Sequence, residues 1–138
     1  MSNARKARGA ETQRVVAGYF AQNGWPYATD AGAGRNGSDV LGVPGLSIEV
    51  KARRDFSPMA WVRQAASVPG LPIVIFRPDG MGVTTLAQWP AMLRLADLVD
   101  LLRHAGYGTP YNDTSVPELT ERDDGTTVTR SGSDFANT

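Results

Sequence analysis

The chain has no cysteine, a single histidine and no long apolar run. Without thiols, neither a disulfide framework nor a thiolate metal site can be built. The lone histidine, His104, cannot supply the imidazole sets of zinc hydrolases or histidine-metal nucleases. Lying towards the end of a helical stretch, it reads as a surface residue. No segment approaches the roughly 18 apolar residues of a membrane span, and the opening "MSNARKARGAE" lacks the apolar centre of a signal peptide. A cytoplasmic location without membrane contact is therefore expected. Glycine-rich "GAGRNG" precedes a strand and does not open a helix, which excludes a dinucleotide or P-loop fingerprint. Net charge is missing too, since 14 Lys and Arg balance 14 Asp and Glu.

That balance hides a gradient. Residues 1–54 carry eight basic against four acidic side chains, residues 55–106 four of each, and residues 107–138 two against six. A basic front end suits a polyanionic partner, although a solvated face gives the same count. With 138 residues, 41% of them hydrophobic, the chain is sized for one domain with its own core.

Apolar residues Val15, Val16, Tyr19 and Phe20 recur at helical spacing between Thr12 and Asn23, and Gly24 is a natural stop. "WPYATDA" reads as a short strand, Asp39 to Gly42 as a second, and "VPG" as a tight turn into a third, Leu46 to Lys51. Ser57 and Pro58 suit the cap and first turn of a helix reaching Val68. "IVIF" fits a strand buried on both faces, and "VTTL" follows as another strand. A last helix carries Leu95, Leu98, Val99 and Leu102 on one stripe and stops at Gly106. The expected class is α/β, a mixed central sheet flanked by helices in the order αβββαββα. Residues 1–111 form the domain, and residues 112–138 read as a polar acidic tail, flexible or ordered by a partner.

In "LSIEVKARR" the apolar Leu46, Ile48 and Val50 alternate with Glu49 and Lys51, which share the opposite face. A turn centred near Pro44 would set Asp39 opposite Glu49. Directly opposed carboxylates repel, and a divalent cation reverses the sign. Magnesium favours such oxygen ligands, with waters and substrate phosphate completing its shell. Lys51, on the same face, would offset phosphate charge or position a water, and the set suits phosphodiester hydrolysis. The alternative is a surface ion pair of Glu49 with Lys51, with Asp39 merely marking a turn.

"SDV" at 38–40 and "EVK" at 49–51 resemble the motif of the PD-(D/E)XK nuclease superfamily. The chain most resembles its archaeal-type Holliday-junction resolvases and their bacteriophage relatives. The similarity covers about residues 5 to 90, including "RGAE", "AGAGRNGSD", "IEVKARR", "WVRQA" and "PIVIFR". It implies a restriction-endonuclease-like core and a metal centre for Mg²⁺ or Mn²⁺ at Asp39, Glu49, Val50 and Glu11. Lys51 would be the catalytic lysine, and Gln64 would match a glutamine on the helix after E-x-K. Ser38 stands where the superfamily's proline would be, and the resemblance would match it to a loop serine near the scissile phosphate. Two ordinary readings stay open: Glu11 as a first-turn acid favoured by the helix dipole, and Gln64 as a polar helix edge.

Arg5, Lys6 and Arg8 form a basic N-terminal arm, Arg35 sits in the small-residue loop, and Arg53 and Arg54 follow the E-x-K strand. These are candidate contacts to a DNA backbone, which position a duplex without reading sequence. No helix-turn-helix, zinc finger or aromatic stacking motif is visible. The expected activity is resolution of branched, four-way DNA by paired nicking, in the host cytoplasm if phage-encoded. Two symmetric cuts imply a two-fold homodimer. Trp61, Trp89 and the last helix are candidate dimer surfaces. A restriction-type or flap endonuclease of the same fold, or a DNA-binding module without turnover, are the rival expectations.

Overall fold

A computed structural model describes residues 3–32, 36–110, 118–121 and 127–130. Helix α1 spans Asn3–Gln22, so it begins well before Thr12. "NARKARGAE" is dominated by strong helix formers, and they draw the expected basic arm into the helix. The end of α1 follows the Schellman pattern: Trp25 N–H donates to Phe20 O at 3.0 Å, with Gly24 at φ +116° between them. The Phe20 and Trp25 rings meet edge-on at 5.1 Å across that cap.

Strand β1 is only Thr29–Asp30, pairing antiparallel with β2, Val40–Leu41. The preceding "WPYA" is a turn closed by Ala28 N–H to Trp25 O, with Pro26 unable to donate to a ladder. Strand β3, Leu46–Lys51, pairs parallel with β4, Leu71–Phe76, and β4 pairs antiparallel with β5, Ala91–Met92. The chain is thus mixed α/β with a mixed sheet. Helix α2, Pro58–Ala66, makes the crossover between the parallel strands. Its expected cap does not form, because the Ser57 hydroxyl makes no cap bond and only its carbonyl accepts, from Trp61 N–H.

Alternation sorts the side chains of β3 and β4. Ile48, Val50, Ile73 and Ile75 pack with Val16 and Ala17 of α1, together with Val40, Val43 and Trp89. Val74, Phe76 and Met92 pack with Trp61 and Ala65 of α2. Trp61 and Trp89 therefore belong to the core, contrary to their expected place on a dimer surface.

"VTTL" is not a strand but part of a 3-10 segment, Val83–Gln88. The Thr85 hydroxyl donates to Gly82 O and accepts from the Trp89 indole N–H, a local bonding pattern that competes with a ladder. The strand comes later, as β5. At the other turn, Gly42 has φ +75°, and a Cβ there would run into the Tyr27 carbonyl. Gly42→Ala should cost about 2 kcal/mol or more, read as a lowered denaturant midpoint with unchanged slope. Loss of β1–β2 pairing would follow.

The chain divides into two compact units, residues 1–98 and 99–138. Helix α3, Leu95–His104, runs across that division. Its expected apolar stripe is present, and Leu95, Leu98, Val99 and Leu102 are all exposed. In the second unit β6, Glu118–Glu121, pairs antiparallel with β7, Thr127–Arg130, within the stretch expected to be a polar acidic tail, flexible or ordered by a partner. The rest of that stretch lies outside the described residues. Among the described residues no helix is long and apolar enough to cross a membrane.

Candidate active site

Strand β3 turns Ser47, Glu49 and Lys51 towards α2, and all three are buried. The Ser47 hydroxyl donates to Ala65 O at 2.6 Å, tying strand to helix. One residue earlier on α2, Gln64 Oε1 accepts from Lys51 Nζ at 3.0 Å. Lys51 Nζ also lies 2.8 Å from Glu49 Oε1, with both side chains under a tenth exposed, at 8% and 6%. This is no surface ion pair. An ammonium has three N–H groups, so one remains for a further acceptor.

Asp39 reaches the same place from the residue just before β2. Its N–H donates to Ile48 O at 2.7 Å, and its Oδ2 accepts from Val50 N–H at 2.8 Å. The backbone partner of Asp39 is thus Ile48, one residue short of the expected opposition to Glu49. The turn differs from one centred on Pro44, with Leu46 N–H bonded to Val43 O. The Asp39 side chain makes up the offset by turning to the Val50 amide, the residue next to Glu49. A strand residue sends its N–H and C=O to the same side, so the Val50 carbonyl shares the Asp39 edge.

Burial pushes the Asp39 carboxyl above its ordinary value, while the Val50 amide and Lys51 pull it back. Burial also raises Glu49, Lys51 opposes that, and the charge of Asp39 raises it further. Two acids are thus held together against their own solvation and, for Glu49, against its neighbour. Beside them opens a cleft of about 230 Å³ lined by Asn36, Gly37, Asp39, Gln64, Ser67 and Val68. Asn36 and Ser67 carried no signal in the sequence, as each is a single polar residue outside any motif. A more open hollow over Ser38 to Leu46 has no ionisable lining.

The remaining candidates are dispersed. Ser38 is a backbone staple: its hydroxyl accepts from Ile48 N–H at 2.9 Å and donates to Val40 O at 2.8 Å. The residues of α1 that are buried are Thr12, Val16 and Ala17, which leaves Glu11 on the flank. There it lies 3.5 Å from Arg77 Nη1. Arg77, which the sequence reading passed over, is 6% exposed. It bonds Thr12 Oγ1 and Met81 O, and its guanidinium sits 5.3 Å from the Trp89 ring centre. Its one signal was a cation closing the apolar run "PIVIFR".

Among the described residues no three acidic or histidine side chains converge as a metal cage. Arg8 donates to Pro78 O, and Arg5 and Lys6 lie exposed on the first turns of α1. Arg53 is near enough to Glu49 to oppose its rise, and Arg54 lies 3.6 Å from Asp79 with both exposed. Arg35 falls outside the described residues. Comparison with protein-family models, with curated proteins and with solved structures gave no match.

Proposed function

We propose that the chain is a metal-dependent, structure-selective DNA endonuclease that resolves four-way junctions by paired phosphodiester hydrolysis. The reading places it among PD-(D/E)XK nucleases with a restriction-endonuclease-like core. One observation carries it: Asp39, Glu49, Lys51 and Gln64 converge beside a cleft, in a mixed α/β chain whose sequence reads "SDV" and then "EVK".

The donor set suits a divalent cation. A buried carboxyl, Glu49, and a half-buried one, Asp39, each raised by desolvation, form an arrangement that Mg²⁺ or Mn²⁺ would relieve. Asp39, Glu49 and the Val50 carbonyl would hold it, and Glu11, engaged by Arg77, lies outside that set. When bound, such an ion lowers the pKa of a coordinated water and offsets charge developing on phosphorus. Lys51 directs its remaining N–H at a phosphoryl oxygen or at the attacking water. Gln64 and Glu49 fix the direction of that ammonium. Arg53, Arg54 and the start of α1 hold the flanking backbone.

Symmetric nicking needs two such sites, hence a two-fold dimer. Exposed Leu95, Leu98, Val99 and Leu102 on α3 are apolar surface suited to that contact. The test is incubation with Mg²⁺ and labelled four-way junctions, flaps, linear duplex and single strands. Paired nicks at symmetric positions across the junction are expected. Sequence-dependent cutting of linear duplex would instead indicate a restriction-type enzyme. Binding without cutting, unchanged by Asp39→Asn, would leave a DNA-binding module.

A further inference from the structure

Beyond the hydrolytic residues, one aromatic side chain beside them is placed as a contact surface. Phe56 lies in the segment that leaves β3 for α2, directly after Arg53, Arg54 and Asp55. Its ring is 5.5 Å from Trp61 and 5.2 Å from Phe76, which are 5.4 Å from each other. Trp61 is buried at 5% exposure, whereas Phe56 above it is 58% exposed. A phenylalanine recruited only to finish this core would be turned inward. Here the ring meets Trp61 edge-on, with 84° between the planes, and Phe76 at 53°, and more than half of it stays open to solvent.

Its position relative to the reacting groups is set by the strand register. Phe76 is the cross-strand partner of Lys51, so Phe56 rests on the neighbour of the catalytic ammonium. Met59, 64% exposed on the first turn of α2, extends the apolar surface. Two guanidinium groups precede the ring in the chain, one in an exposed contact with Asp79.

We infer that Phe56 is a stacking platform for an unpaired or partly unstacked nucleobase next to the scissile phosphate. Arg53 and Arg54 are balanced locally by Asp55 and Asp79, so the nucleic-acid occupant follows from the nuclease reading of the adjacent site, whose scissile backbone would pass the ring. The ring supplies a surface that any base can cover, and its packing on Trp61 and Phe76 prepays the ordering cost. In continuous duplex both faces of every interior base are already covered, so the platform engages only where the stack is broken. It would therefore contribute selectivity for branches without reading sequence. This rests on the nuclease reading of the Asp39–Glu49–Lys51 site.

The test uses the full chain with Phe56→Leu, which keeps apolar volume but loses the aromatic face, and Phe56→Tyr, which keeps both. Substrates are a four-way junction carrying 2-aminopurine at the base next to the branch, and an intact duplex of the same sequence. Phe56→Leu should weaken junction affinity by about tenfold and abolish the fluorescence quench, with duplex affinity unchanged. Phe56→Tyr should match wild type on both. Melting curves confirm that each variant folds, and if Phe56→Leu does not, Phe56→Thr replaces it. Wild-type junction cleavage with an unaltered quench in Phe56→Leu sinks the platform alone. Equal losses on junction and duplex reduce the ring to a scaffold element and also sink it. A wild-type protein that ignores every DNA form removes the nuclease reading and this inference together.

Discussion

Asp39→Asn should abolish Mg²⁺-dependent cleavage and at the same time raise the melting temperature of the metal-free protein. The activity loss should be about a thousandfold or more, since a metal contributes several kcal/mol of transition-state stabilisation and each 1.36 kcal/mol is tenfold. The stability gain follows from the direction of the carboxyl shift. Burial raises Asp39 in the fold, so the unfolded chain gives up that proton first. The group's favourable contribution is complete below the unfolded value, roughly 4, and is lost as pH rises through the folded value. At neutral pH the native carboxylate is therefore a burden. Asparagine removes the charge yet still offers an oxygen to the Val50 amide. Thermal melts in chelator should place the variant above wild type at pH 7, with the gap closing towards pH 4. Added Mg²⁺ should stabilise wild type and leave the variant where it was. A variant less stable than wild type in chelator at pH 7 would mean that Asp39 is not held against solvation.

Lys51→Met should do the reverse to stability. The substitution keeps length and apolar stem but leaves Glu49, 6% exposed, beside Asp39 with no ammonium. Removing one member of a buried ion pair costs about 3–5 kcal/mol. The lower part of that range is expected here, because carboxyls already pushed upward can take up a proton in place of the lost partner. In chelator at pH 7 the melting point should fall sharply, and less so near pH 5. Saturating Mg²⁺ should recover part of the lost stability, as one cation substitutes for another. Cleavage should stay depressed by at least a hundredfold, because no N–H is left to meet the phosphate or water. Normal turnover in Lys51→Met would remove the lysine from the chemistry. Stability indifferent to Mg²⁺ in this variant would separate the carboxyl pair from the ion.

These effects trace to residues of unequal visibility in the sequence. Period-two alternation in "LSIEVK" put Glu49 and Lys51 on one face, and strand geometry allows no other outcome. Their burial was not legible, because it depends on α2 folding back across that face. Asp39 sits one residue off the register that a turn at Pro44 sets, and its side chain turns instead to the Val50 amide, which alternation alone does not reveal. Glu11 stands one position from the buried Thr12 of α1, a difference that helical periodicity does not resolve. Its partner, Arg77, lies 66 residues further on and left no local trace. Mid-chain, "VTTL" carries β-branched residues that favour a strand, yet the Thr85 hydroxyl satisfies backbone and indole groups locally. Strand β5 is two residues long, below what pattern can reveal. The pairing of β6 with β7 was hidden by a composition that otherwise reads as polar tail.

The Ser47 hydroxyl has a consequence for how this site tolerates change. By gripping the Ala65 carbonyl it prevents α2 from sliding along the strand, and so pins the residue just before, Gln64, at a constant height above Lys51. Retuning the ammonium is therefore easier through side-chain length at 64 than through a shift of the helix, which would first break that bond. A glutamate there shifts charge at the same reach, and an asparagine falls short by a methylene.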